Sequence, residues 1–174
     1  MERTPSPSPI ELGRPFPDID LPDHNGRDRT LSELIAQDPV VLHFYRGWWC
    51  PKEQAYLRML ASWQNEVEVA YSPIVSISVD RPEVQAALRA GLDARWTFLS
   101  DADRRWIGPL GLEEQTDPTH RPYSPMVVVL APDLSVHSQY DGYWFWGRPT
   151  LEELRQDLRA LSRRLRPDWA APHP

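Results

Sequence analysis

Cys50 is the one cysteine among 174 residues, so the residue types around it decide what a lone thiol could do. Thiol chemistry is done by the thiolate, an anion that the unpaired N–H groups and positive dipole end of a helix N-terminus favour. Cys50 stands where such a terminus is expected: an apolar run over residues 39–45, the turn Arg46-Gly47-Trp48-Trp49, then Cys50 and Pro51 opening a helix. Pro51 suits a first helical position, because its missing N–H has no helical partner there. Arg46, four residues before the sulfur, would add a permanent positive charge and orient an oxygen-bearing substrate. Glu53 in the first turn would oppose the thiolate unless Arg46 or Lys52 neutralises it; it could instead complete a cap or accept a hydrogen bond. Trp48 and Trp49 read first as packing residues, with Trp49, Pro51 and Glu53 shaping a pocket. A lone Cys can also be a small buried hydrophobe, but the strand-turn-Cys-Pro-helix position favours a reactive site.

Other chemistry is absent from the pattern. The five His residues, at 24, 43, 120, 137 and 173, show no metal-ligand spacing, and His43 inside a strand reads as a satisfied core residue. No Gly-rich phosphate loop or serine nucleophile elbow occurs, so neither a cofactor nor a metal is expected. A single Cys excludes an intramolecular disulfide and a cysteine-rich zinc site. A net charge of -6 and a pI near 5.3 argue against nucleic acid as a partner, since that affinity comes from Lys and Arg displacing counterions. The longest purely apolar run, residues 126–131, is far short of the roughly 20 residues of a membrane span. A cytoplasmic place follows as the default expectation.

The elements that must position Cys50 alternate. Residues 39–45 form a short apolar run expected of a buried central strand. After Cys50-Pro51, Tyr56, Met59, Leu60, Trp63 and Val67 recur at three and four residues, which is helical. Pro73 introduces a second β-branched strand over residues 74–79; Asp80 with Glu83 marks a helix start and Gly91 its stop. Residues 126–130 make a third strand, and Ala131-Pro132-Asp133 turns the chain toward residues 136–140. Thr150 and Glu153 predict a capping box for a last helix lined by Leu151, Leu154, Leu158, Leu161 and Leu165. Strands alternating with helices, then a hairpin and a closing helix, give an α/β three-layer α/β/α sandwich with a mixed central sheet. Residues 1–9 read as a flexible Pro/Ser leader without the apolar stretch of a secretory signal, 10–166 as a single domain, and 167–174 as a fraying tail. The aromatic run over residues 140–147 has too many large rings for a solvated loop; it should cover a core edge, a pocket mouth or a dimer surface, and a homodimer is the assembly it would serve.

Read together, these residues resemble the peroxiredoxin (alkyl hydroperoxide reductase/thiol-specific antioxidant) family of the thioredoxin-like redoxins, over nearly the whole of residues 12–165. Residues 13–23, then Gly26 and residues 30–34, resemble the family's opening hairpin segment. Phe44-Tyr45 and Cys50-Pro51-Lys52-Glu53 resemble its active-site F-Y and C-P-x-E elements. Residues 75–80 resemble the next strand, and residues 98–101 the loop after the following helix. The resemblance implies a thioredoxin-like fold with Cys50 attacking a small hydroperoxide to give a sulfenic acid. It implies a one-cysteine type recharged by an external thiol, either thioredoxin-like or of low molecular weight. It further implies that Pro125, after Ser124, is a cis-proline facing the cysteine. Departures are specific. The family's upstream Pro and Thr or Ser are met here by His43 and Gly47, so no hydroxyl lies between Arg46 and Cys50. Its second arginine has only Arg121 nearby, out of register. The turn looks more like a divergent peroxiredoxin-like branch with C-P-x-C, where Glu53 replaces the second Cys. Two other roles stay open: a non-catalytic thioredoxin-fold binding module, and a monothiol reductase of mixed disulfides.

Overall fold

The computed structural model describes residues 10–142 and 147–169. Its centre is a five-stranded sheet made of β3 (Val40–Phe44), β4 (Ile74–Ser78), β5 (Thr97–Ser100), β6 (Met126–Leu130) and β7 (Val136–Asp141), in the order β5-β4-β3-β6-β7. β4 and β5 run parallel to β3, whereas β6 is antiparallel to β3 and β7 to β6, so the sheet is mixed as expected. Both faces are covered, which is why β3 and β4 are buried throughout and read as apolar runs without clean alternation.

The period of two still sorts the side chains. Val40, Leu42 and Phe44 pack with Val75, Ile77, Val128 and Leu130 on one face. Val41, Tyr45, Ile74, Val127 and Val129 pack on the other, against helices α2 (Pro51–Val69) and α4 (Leu151–Leu165). The first face is covered by the hairpin β1 (Asp20–Pro22) and β2 (Asp28–Thr30), the five-residue α1 (Leu31–Ile35), and Ile107, Leu110 and Leu112 of the segment after β5. That layer therefore carries little helix.

Several local expectations hold and several are corrected. Pro51 takes the first helical position of α2. The buried face of α2 is Glu53, Tyr56, Leu57, Leu60, Trp63, Gln64 and Val67, with Met59 only half-buried. Helix α3 (Pro82–Gly91) includes Gly91 and ends at Leu92. Asp80 does not cap it, because Arg81 is the N-cap and the Asp80 carboxylate is turned to the loop before Cys50. Residues 97–100 are a strand rather than a loop, paired in register with β4. The Ser124–Pro125 bond is not cis, since no cis peptide occurs among the described residues; the chain enters β6 through the ordinary trans form, which X-Pro bonds favour by about 0.5–1 kcal/mol. Pro167–Trp169 form a short 3-10 turn after α4. Of the aromatic run, residues 143–146 lie outside the described residues, as do 1–9 and 170–174.

The capping box of α4 is present in both directions: Thr150 accepts from the Glu153 N–H, and the Glu153 carboxylate accepts from the Thr150 N–H. Thr150→Ala should therefore lower the unfolding free energy by about 1 kcal/mol, read as a lower urea midpoint at unchanged slope.

Candidate active site

Cys50 is the N-cap of α2, with extended backbone and only 5% exposure. Its own N–H reaches back to the Gly47 carbonyl at 3.2 Å, closing the turn 47–50, while its carbonyl accepts from Gln54 N–H at 3.0 Å. The turn is held from below by Asp80, whose Oδ2 accepts from the Trp48 N–H at 2.9 Å and the Ser78 hydroxyl at 3.1 Å. Burial pushes the Asp80 carboxyl up, against those hydrogen bonds. The sulfur sits in a pocket of about 240 Å³ walled by Arg46, Cys50, Lys52, Glu114, Thr116, Pro125 and Arg148. A larger cleft of about 290 Å³ lies between α2 and α4, but no thiol lines it.

Arg46 and Pro125 thus join Cys50 as expected, although Arg46 is committed elsewhere. Its Nη2 donates to Asp117 at 2.8 Å, and its guanidinium lies 5.0 Å from the Trp49 ring centre. Trp49 in turn stacks on His120, with ring centres 4.0 Å apart and planes at 20°. His120 closes the circle by donating its N–H to Asp117 Oδ1 at 3.0 Å. That backbone bond first, then the His120 ring and Arg46, holds the Asp117 carboxyl below the usual carboxylate range. Trp49 therefore shapes the pocket indirectly, by pinning the segment after β5 onto the turn.

Glu53 is fully buried, and the cation that meets it is one the spacing did not point to. Arg148, 95 residues away, donates Nη2 to Glu53 Oε1 and Nη1 to the Gly142 carbonyl at 3.0 Å. Gly142 is itself tied to the Pro125 carbonyl through its N–H at 2.8 Å, so the end of β7 delivers Arg148 to the pocket. Arg148 is thus a second arginine on the pocket wall beside Arg46, whereas Arg121 does not line it. On the far side, His43 Nε2 lies 3.5 Å from Glu53 Oε2. Burial works to raise the Glu53 carboxyl, but His43 and Arg148 outweigh it and leave it below its ordinary value. Thr116 also lines the pocket, and its Oγ1 donates to Glu114 Oε1 at 2.7 Å.

Sequence reasoning missed Arg148, Glu114, Thr116, Asp117 and His120, and misassigned Asp80. A carboxylate on the largely apolar buried face of α2 was a signal that some cation must meet Glu53, though nothing in the spacing said which. Among the described residues no cluster of His, Cys, Asp or Glu could hold a metal, and no helix is long and apolar enough to cross a membrane.

A Mycobacterium tuberculosis protein, named as a peroxiredoxin in strains H37Rv and CDC 1551, is 35% identical over 107 residues, 60% of this chain and 68% of that protein. Among solved structures, the peroxidoxin BcpB of M. tuberculosis superposes with a TM-score of 0.78 at 24% identity, covering 87% of this chain and 98% of that one. Enterococcus faecalis AhpC gives 0.73 at 13% identity, over 94% and 98%. These two likenesses establish the thioredoxin-type fold of the sheet and its helices. Residues 12–137 match the AhpC/TSA family, a span that takes in the opening hairpin, the turn, Cys50 and Pro125, and by that match and the 35% relative the chain belongs to this peroxiredoxin family.

Proposed function

We propose that the protein is a one-cysteine thiol peroxidase that reduces hydroperoxides through Cys50. The observation that carries this reading is the placement of Cys50 at the N-terminus of the 19-residue α2, on the wall of a small pocket with Arg46, Arg148 and Pro125. The Cys50 thiolate attacks the terminal oxygen of ROOH. The O–O bond breaks, RO⁻ leaves and takes up a proton as ROH, and the sulfur is left as sulfenic acid. An external thiol R′SH then displaces water to form a mixed disulfide, and a second thiol releases R′SSR′ and restores Cys50. The sequence holds one Cys, so both reducing thiols come from other molecules. Arg46 and Arg148 supply fixed positive charge where the negative charge develops on the leaving oxygen. Pro125, Trp49, Pro51 and Glu53 shape and hold the pocket. A thiol-rich reducing compartment, the cytoplasm, is where a lone reactive cysteine can be recharged.

The test is stopped-flow Trp fluorescence of the reduced protein mixed with hydrogen peroxide or an organic hydroperoxide, with Cys50→Ser as control. Trp48 and Trp49 precede the sulfur directly in sequence and report its oxidation. The expected result is a Cys50-dependent change at least about 10³-fold faster than a free thiol gives, well beyond what thiolate population alone supplies. A rate equal to that of free cysteine with both oxidants would sink the peroxidase reading.

A further inference from the structure

His43 occupies β3 directly beneath the pocket, is 1% exposed, and has no part in the chemistry above. Its surroundings fix which of its nitrogens carries the proton. Trp96 Nε1–H, which can only donate, is bonded to Ser76 Oγ at 2.9 Å. Ser76 Oγ also lies 3.3 Å from His43 Nδ1. Ser76 Oγ can accept or donate here, but Nε2 faces a carboxylate oxygen that only accepts, which puts the ring proton on Nε2 and leaves Nδ1 to accept from the Ser76 hydroxyl. Nε2 faces Glu53 Oε2 at 3.5 Å, and both atoms are buried without another hydrogen-bond partner. A shift of a few tenths of an ångström satisfies both at once. Glu53 Oε1 already holds Arg148. The donors and acceptors therefore run one way, Trp96 to Ser76 to His43 to Glu53, and meet Arg148 coming from the pocket.

We propose that His43 is a positioning residue: by donating Nε2–H to Glu53 Oε2 it keeps that oxygen from Arg148, and so fixes the arginine at the pocket wall beside Cys50. This rests on Cys50 being the reacting group. Without His43, Oε2 is an orphan in a dry interior, and its nearest remedy is a second N–H from Arg148. A carboxylate gripping the guanidinium with both oxygens draws it toward α2 and away from the sulfur. The charged groups facing Cys50 in the pocket are Arg46 from the turn, Lys52 from α2, Glu114 from the segment after β5, and Arg148. Glu53 is faced by His43 and Arg148, with the Tyr45 and Tyr56 rings beside His43.

The experiment compares wild type, His43→Leu and His43→Gln in two reactions of Cys50 from pH 5 to 9, oxidation by hydrogen peroxide and alkylation by iodoacetamide. The Gln amide can accept from Ser76 and donate to Glu53, whereas Leu does neither. With Leu, both Cys50 reactions slow by about tenfold near neutral pH, because the reacting sulfur loses a neighbouring cation; with Gln they stay near wild type. A Leu profile that coincides with wild type, or a Gln profile displaced as far as that of Leu, overturns the proposal. Alkylation separates this from the reading of function: slower alkylation with no peroxide reaction leaves the relay standing and removes the peroxidase. Should the Leu variant not fold, the ¹⁵N spectrum of the wild-type imidazole at pH 8 decides. An Nε2–H tautomer supports the relay and an Nδ1–H tautomer overturns it.

Discussion

Replacing Arg148 with Met is expected to cost stability and peroxide reactivity together, and the stability loss should grow with pH. Glu53 bears the full penalty of burial and is held ionised by His43 first and then Arg148. Its folded-state carboxyl lies below the unfolded value, so the ion pair contributes stability above about pH 4.3 that is lost as pH falls through the folded value. Removing the cation leaves burial with only the His43 contact against it. The folded carboxyl then moves up from its wild-type position, so the stability lost relative to wild type is smallest in acid and grows as pH rises. At pH 7 the expected loss is about 3–5 kcal/mol, the usual cost of stranding one member of a buried pair. Urea unfolding of both proteins at pH 4.5 and 7.5 reads it directly. The Cys50-dependent peroxide rate should fall by about 10²-fold, as when one preorganised charge is withdrawn from a developing anion. Adding Glu53→Gln to Arg148→Met removes the stranded charge. That double variant should regain most of the stability and none of the rate, which separates the structural from the chemical part of Arg148. Equal stability of Arg148→Met and wild type at pH 7.5 would show that the pair does not support the fold.

The same pair marks the limit of what the sequence makes legible. β3, α2, β4, β6 and α4 follow from local rules, since a β-branched run, a three-and-four spacing or a Thr-x-x-Glu cap is written within a few residues of where it acts. The junction that carries Cys50 is equally local, because Pro51 can begin a helix but cannot continue one from the strand side. Partnerships across the fold are not written this way. Glu53 and Arg148 are separated by 95 residues and Arg46 and Asp117 by 71, and any of the 19 Lys and Arg could have met either carboxylate. Asp80 shows the converse error. Its spacing to Glu83 is that of a cap, yet it stands at the end of β4, and parallel pairing to β3 sets that end beside the turn it supports. His43 was legible as buried and strand-borne, but its contacts with Ser76 and Glu53 appear only once the strands are in register and α2 is packed on them.

Gly47→Ala should disable the site while leaving the sheet intact. Gly47 has φ +156°, a backbone conformation that residues with a Cβ rarely adopt. A Cβ built there would lie 2.6 Å from Trp49 Nε1 and 3.2 Å from Asp80 Oδ1. The indole is not a free end that can swing away, for it is stacked on His120 and covered by Arg46. Asp80 cannot retreat without releasing the Trp48 N–H. Either movement opens the turn whose last residue is Cys50, and a displacement of about 1 Å at a reacting atom costs about 10²-fold in rate. The backbone strain adds a stability loss of about 2 kcal/mol. Gly91→Ala is the matched control, since a Cβ there meets nothing within 4 Å and the residue already lies in α3. It should be neutral or slightly stabilising. The measurements are urea midpoints, the near-ultraviolet circular dichroism of the Trp49–His120 stack, and the Cys50-dependent peroxide rate. Loss of the stack signal together with the rate in Gly47→Ala, with both kept in Gly91→Ala, is the expected outcome. A Gly47→Ala protein that keeps the wild-type rate would show that the turn tolerates a side chain, and that Trp49 and Asp80 do not fix the position of the sulfur.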